Sequence, residues 1–124
     1  MNAQEMADKI LASIRENGDA SFADIMRLIG DEAKGEWAKE ALPNLVIWAG
    51  MSKTLMDALN IIRPQTELKS CHLFVYLVDG AMLRMPVAKR PPKKGYSDSN
   101  PHWVPTVLVL RQDHRRKVAK RGRK

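Results

Sequence analysis

The stretch from Asn44 to Arg63, NLVIWAGMSKTLMDALNIIR, constrains this chain most, because its punctuation admits few backbone paths. Gly50 suits the left-handed conformation that closes a helix. Ser52, two residues on, can open another by accepting a hydrogen bond from a backbone N–H, and Asn44 can cap what precedes it. The stretch therefore predicts a short helix, a tight turn at Gly50-Met51-Ser52, and a second helix over 52–63. Leu45, Val46 and Ala49 would face inward from the first helix, and Met51, Met56, Leu59 and Ile62 from the second. Pro64 ends the second helix, and Pro43 biases its predecessor away from helical geometry.

Upstream, Asn2 with Glu5 and Ser21 with Asp24 have the spacing of reciprocal helix caps. Met6, Ile10 and Ile14, with Ala7 and Leu11 beside them, form one apolar stripe at helical spacing, stopped by Asn17-Gly18. Phe22, Ile25, Met26 and Ile29 form a second stripe, stopped by Gly30. Both stripes are read as core. Residues 31–43 are polar and predict at most a short helix over 36–42 carrying Trp37.

Downstream, residues 65–70 read as a linker. Residues 72–78 (HLFVYLV) are rich in aromatic and β-branched types, Asp79-Gly80 favours a two-residue turn, and 81–87 (AMLRMPV) returns, which predicts a β-hairpin. Its register would oppose Val78 to Ala81, Tyr76 to Leu83 and Phe74 to Met85. Pro86 confines the return strand to an edge. Residues 88–102 form an irregular basic loop, and 103–110 (WVPTVLVL) a third strand interrupted by Pro105. From Arg111 the chain is a basic tail with eight cations and one acid, expected to stay disordered without a partner. At 124 residues the chain is expected to be one domain over 1–110 plus that tail.

Charge is divided along the chain. Residues 1–83 hold 8 Lys/Arg against 12 Asp/Glu, whereas residues 84–124 hold 13 against 2, within a net charge of +7. A cationic end of this kind most often meets a phosphate backbone. No apolar run approaches the roughly 20 residues that span a bilayer, so no membrane is expected. The N-terminus lacks a basic-then-apolar export signal. The single cysteine, Cys71, excludes an internal disulfide and suits a reducing cytoplasm, with nucleoid association if the host is bacterial.

Two helices, a helix-turn-helix and a tight hairpin, in that order, resemble the winged helix-turn-helix DNA-binding superfamily over residues 1–88, with 71–87 as the wing. The size and basic tail are also similar to small phage-encoded regulators. Two departures stand out. Val46 occupies a position where such motifs usually carry a small residue, and Ile47 and Trp48 on the outer face need cover.

The resemblance implies an α+β fold and a small transcriptional regulator that places helix 52–63 in the major groove of duplex DNA. Ser52, Lys53, Thr54 and Asn60 would then meet base edges. Arg84, Lys89, Arg90, Lys93, Lys94 and Tyr96 would hold the adjacent backbone. Arg111, Arg115, Arg116, Lys117, Lys120 and Arg121 would add affinity independent of sequence. Such readers often bind paired half-sites, so a homodimer is compatible. A rival reading is an adaptor or inhibitor that captures another protein through Ile47, Trp48 and Ile61. A third is RNA or single-stranded nucleic-acid binding through the basic loop and tail, with Tyr96 stacking.

Catalysis finds little support. Cys71 and His72 would point to opposite faces of a strand, and no phosphate-binding glycine loop, nucleophile elbow or close carboxylate pair with a partner base is present, so no enzyme, cofactor or metal is expected.

Overall fold

The computed structural model describes residues 1–77, 83, 85–88 and 101–111. In chain order they form α1 (Ala3–Asn17), β1 (Ala20–Ser21), α2 (Phe22–Ile29), a 3-10 turn (Gly30–Ala33), β2 (Lys34–Leu42), β3 (Leu45–Met51) and α3 (Lys53–Ile62). A second 3-10 turn (Arg63–Gln65), β4 (Thr66–Ser70), α4 (Phe74–Leu77), β5 (His102–Trp103) and β6 (Thr106–Leu110) follow. The class is α+β. One sheet has the order β1-β6-β4 and is antiparallel; the other is β2-β3-β5, with β3 antiparallel to β2 and parallel to β5. No helix among the described residues is long and apolar enough to cross a membrane.

The first two helices form for the reasons their caps give. The Asn2 side chain accepts from the Glu5 N–H at 2.8 Å while the Glu5 carboxylate accepts from the Asn2 N–H at 3.2 Å. Ser21 and Asp24 repeat the exchange at 3.0 and 3.3 Å. Each such cap stabilises its helix by about 1 kcal/mol. Met6, Ala7, Ile10, Leu11 and Ile14 are buried on α1, as are Phe22, Ile25 and Ile29 on α2.

The region 34–51 departs from expectation. Neither the short helix over 36–42 nor the first helix of a helix-turn-helix forms; the two segments pair as an antiparallel hairpin, so α3 follows a strand. The turn is Pro43-Asn44, closed by the Leu42–Leu45 pair, with Asn44 at φ 58°. Proline first and a positive-φ Asn second suit a type II turn. β3 lies between β2 and β5, and Leu45, Val46, Ile47, Trp48 and Met51 are all buried. A strand covered on both faces shows no polar alternation, so its apolar run reads equally well as a buried helix. Gly50 does take a positive φ, 83°, but within β3, where the Trp37–Met51 and Ala38–Ala49 pairs leave it as the extra residue of a bulge.

Ser52 caps α3 as expected, accepting from the Leu55 N–H at 3.1 Å, and Leu55, Ala58, Leu59 and Ile62 pack inward. The expected linker at 65–70 is instead β4, paired with β6 from Thr66–Leu110 to Ser70–Thr106. The expected first wing strand is absent: Phe74–Leu77 is one helical turn, so Phe74 and Tyr76 are not in the predicted ladder. The Asp79-Gly80 turn lies outside the described residues, as do 89–100 of the basic loop and 112–124 of the tail. The third strand forms and breaks at Pro105 as predicted, and the break sends the chain from one sheet to the other.

Helices and sheets meet around four aromatic rings. Trp48 lies 6.2 Å from Phe22, 5.3 Å from Tyr76 and 5.9 Å from Trp103, centroid to centroid, and Tyr76 lies 5.0 Å from Trp103. The Tyr76 hydroxyl donates to the Thr106 carbonyl at 2.6 Å and accepts from the Phe22 N–H at 3.0 Å. Selection of α4 over a strand follows: a helical turn points Tyr76 into this cluster, where it is fully buried. Tyr76→Phe leaves both backbone groups without that partner. Urea denaturation is expected to show a loss of about 1–3 kcal/mol with an unchanged denaturant slope; a midpoint equal to that of the parent would contradict a structural role for the hydroxyl.

Candidate functional site

Of the residues expected to touch DNA, the described ones are Ser52, Lys53, Thr54 and Asn60 at or on α3 and Arg111 just after β6. Ser52 is tied into the fold, its hydroxyl donating to the Glu32 carbonyl at 2.8 Å and its N–H to the Ala33 carbonyl at 2.7 Å. Lys53 and Asn60 are exposed on α3, and Thr54 is half-buried. Arg84, Lys89, Arg90, Lys93, Lys94, Tyr96, Arg115, Arg116, Lys117, Lys120 and Arg121 lie outside the described residues. Ile47 and Trp48, proposed as a protein-capture surface, are covered from within by the chain's own core; Ile61 remains exposed.

Arg111 is the expected contact that the structure places in a definable site. Its Nε and Nη2 donate to the Arg63 carbonyl at 3.2 and 3.1 Å, and its N–H donates to the Gln65 carbonyl at 3.0 Å. Arg63 is the C-cap of α3, so a guanidinium here satisfies a terminal carbonyl and complements the negative end of the helix. The end of β6 is thereby held against the end of α3.

A groove of about 390 Å³ opens at this junction, with Phe22, Leu59 and Leu108 among its lining and Lys39, Arg63 and Arg111 as its cations. Lys39 comes from β2, the edge strand formed by a polar stretch without a charge motif, and Arg63 from the C-terminal end of α3. Glu40 and Glu67 also line the groove. Glu40 is engaged elsewhere, its carboxylate accepting from the Asn44 N–H at 2.8 Å. Among the described residues, no carboxylate lies within ion-pair distance of Lys39 or Arg63. The Lys39 ammonium is held below the usual lysine pKa, first by partial burial and then by the Arg63 charge. With Glu40 and Glu67 also in the lining, the three cations leave the groove a small net positive charge. The half-buried Cys71 thiol is pushed above its usual pKa, first by burial and then by the Asp19 charge. Among the described residues no cluster of three or more His, Cys, Asp or Glu could hold a metal ion.

Comparison with protein-family models, with curated proteins and with solved structures returns no match.

Lysine 39 destabilises the fold while protonated. Because its folded pKa is depressed, the penalty is full below that folded value, declines as pH rises through it, and vanishes above the unfolded value near 10.5. Lys39→Gln is expected to raise the unfolding free energy slightly at neutral pH and low salt, by less than about 1 kcal/mol after solvent screening. Inorganic phosphate should stabilise the parent and do so less in Lys39→Gln, since an anion that binds only the folded state shifts the equilibrium toward it. Equal phosphate response in both proteins, followed by scanning calorimetry, would remove the groove as an anion site.

Proposed function

We propose that the protein binds nucleic acid along its sugar-phosphate backbone, using the Lys39–Arg63–Arg111 groove and the basic segment that begins at Arg111. The observation that carries this reading is the position of Arg111. The point where the eight cations of residues 111–124 begin is pinned beside two further cations that have no carboxylate partner among the described residues. A phosphate chain entering the groove would meet charge on both the folded surface and the segment leaving it. Contacts to phosphate fix position without reading sequence, so such binding is expected to be weakly sequence-selective. Insertion of residues 52–63 in a major groove, as a winged-helix regulator would do, loses support because the element before α3 is a strand and Ser52 is committed to holding the helix start. Regulation of transcription by duplex binding is accordingly a narrower reading, and backbone contact alone does not require it.

Fluorescence anisotropy with labelled duplex DNA, single-stranded DNA and single-stranded RNA of equal length tests the proposal. Affinity is expected to fall steeply between 50 and 200 mM salt, by about a hundredfold or more if six phosphates are contacted. The double variant Lys39→Gln/Arg63→Gln should lower the salt slope by about two. Truncation after Leu110 should weaken binding further without abolishing it. Absence of binding at 50 mM salt, or affinity indifferent to salt, would defeat the reading.

A further inference from the structure

Two residues before Lys39 on the same strand stands Trp37, 52% exposed, whereas the other two tryptophans, Trp48 and Trp103, are 6% and 0% exposed. From Trp37 to Glu40 the strand is regular, because the extra residues in the pairing, Gly50 and Ile47, belong to β3. Alternate residues of a strand project to one side, so the indole and the ammonium leave β2 in the same direction, from origins about 7 Å apart. An edge strand is kept from pairing with other chains by charge, which Lys34, Glu36 and Glu40 already supply; an exposed indole adds nothing to that protection. A flat aromatic face next to a cation groove is the pairing that unpaired nucleotides require, the face for the base and the charge for the phosphate.

We propose that β2 is a platform for single-stranded nucleic acid, with one unpaired base stacked on Trp37 and a neighbouring phosphate held by Lys39, Arg63 and Arg111. The inference rests on the nucleic-acid reading above and narrows it to unpaired strands, because the bases of a duplex are already stacked on one another and offer the indole no free face. Stacking tolerates any base, which agrees with a site whose other contacts are to phosphate.

The full-length protein, a ten-nucleotide oligothymidylate and a ten-base-pair duplex test this. The single strand is expected to bind about tenfold or more tightly than the duplex and to quench intrinsic fluorescence, which at the exposed position reports Trp37. Trp37→Ala should weaken oligothymidylate binding about tenfold, abolish the quenching and leave the salt slope unchanged. Trp37→Phe, which keeps an aromatic face, should recover most of the affinity. Arg63→Gln should do the opposite of Trp37→Ala, lowering the salt slope while keeping the quenching. Thermal melts of the variants check that an exposed substitution has left the fold intact. Single-strand affinity or quenching unchanged in a folded Trp37→Ala protein, or preference for the duplex, overturns the stacking platform while nucleic-acid binding stands. Failure of every oligonucleotide to bind at low salt overturns both.

Discussion

Trp48 makes ring contacts with Phe22, Tyr76 and Trp103, and these contacts join pieces of chain too small to hold alone. β1 and β5 have two residues each and α4 a single turn, lengths at which local hydrogen bonding cannot offset the entropy of ordering. Aromatic pairs at these separations contribute about 0.5–1.5 kcal/mol each beyond the burial of their surface. The Tyr76 hydroxyl adds direction to that attraction by bridging the start of α2 and the start of β6. The Trp103 indole N–H donates to the Ile47 carbonyl at 3.2 Å, which ties β5 to the middle strand of its own sheet. Both sheets are thus referred to one cluster.

That cluster determines where the cations fall. With β3 seated on Trp48, its hairpin partner β2 is left at the sheet edge, where its side chains are mostly exposed. α3 returns alongside and delivers Arg63 at its end, while β6 delivers Arg111 to the same point. Bringing like charges together costs free energy, and the structure places Lys39 partly out of water besides. Glu40 and Glu67 in the same lining offset part of this charge, and the groove keeps a small positive excess.

Where the sequence carries local signals, the elements are legible. Reciprocal caps at Asn2 and Ser21, the glycine at the end of α1, the Ser52 cap and the break at Pro105 each act within a few residues, and each appears where expected. Signals that depend on neighbours were ambiguous. Residues 45–51 are apolar throughout, so periodicity does not separate a buried helix from a doubly covered strand, and the Pro43-Asn44 turn signal was the clue that would have favoured the strand. Residues 72–78 have strong β propensity, but placing Tyr76 against Trp48 and Trp103 outweighs it. Of the groove, Arg111 was legible as the first residue of a basic run. Lys39 and Arg63 were not, because they are ordinary cations in polar or helical surroundings until the strands bring them together.

The amino-acid order by itself determined the helices that begin at Asn2, Ser21 and Ser52, the inward faces of the first two, the strand split by Pro105, and the concentration of positive charge after residue 83. These follow from hydrogen bonds and spacing within single segments. Tertiary structure alone decided that residues 45–51 are a central strand, that 66–70 is a strand and 74–77 a helical turn, and that Lys39, Arg63 and Arg111 share a groove. The physical reason is the same in each case: the free energy that selects the conformation comes from partners distant in sequence, and no local pattern of residues contains it.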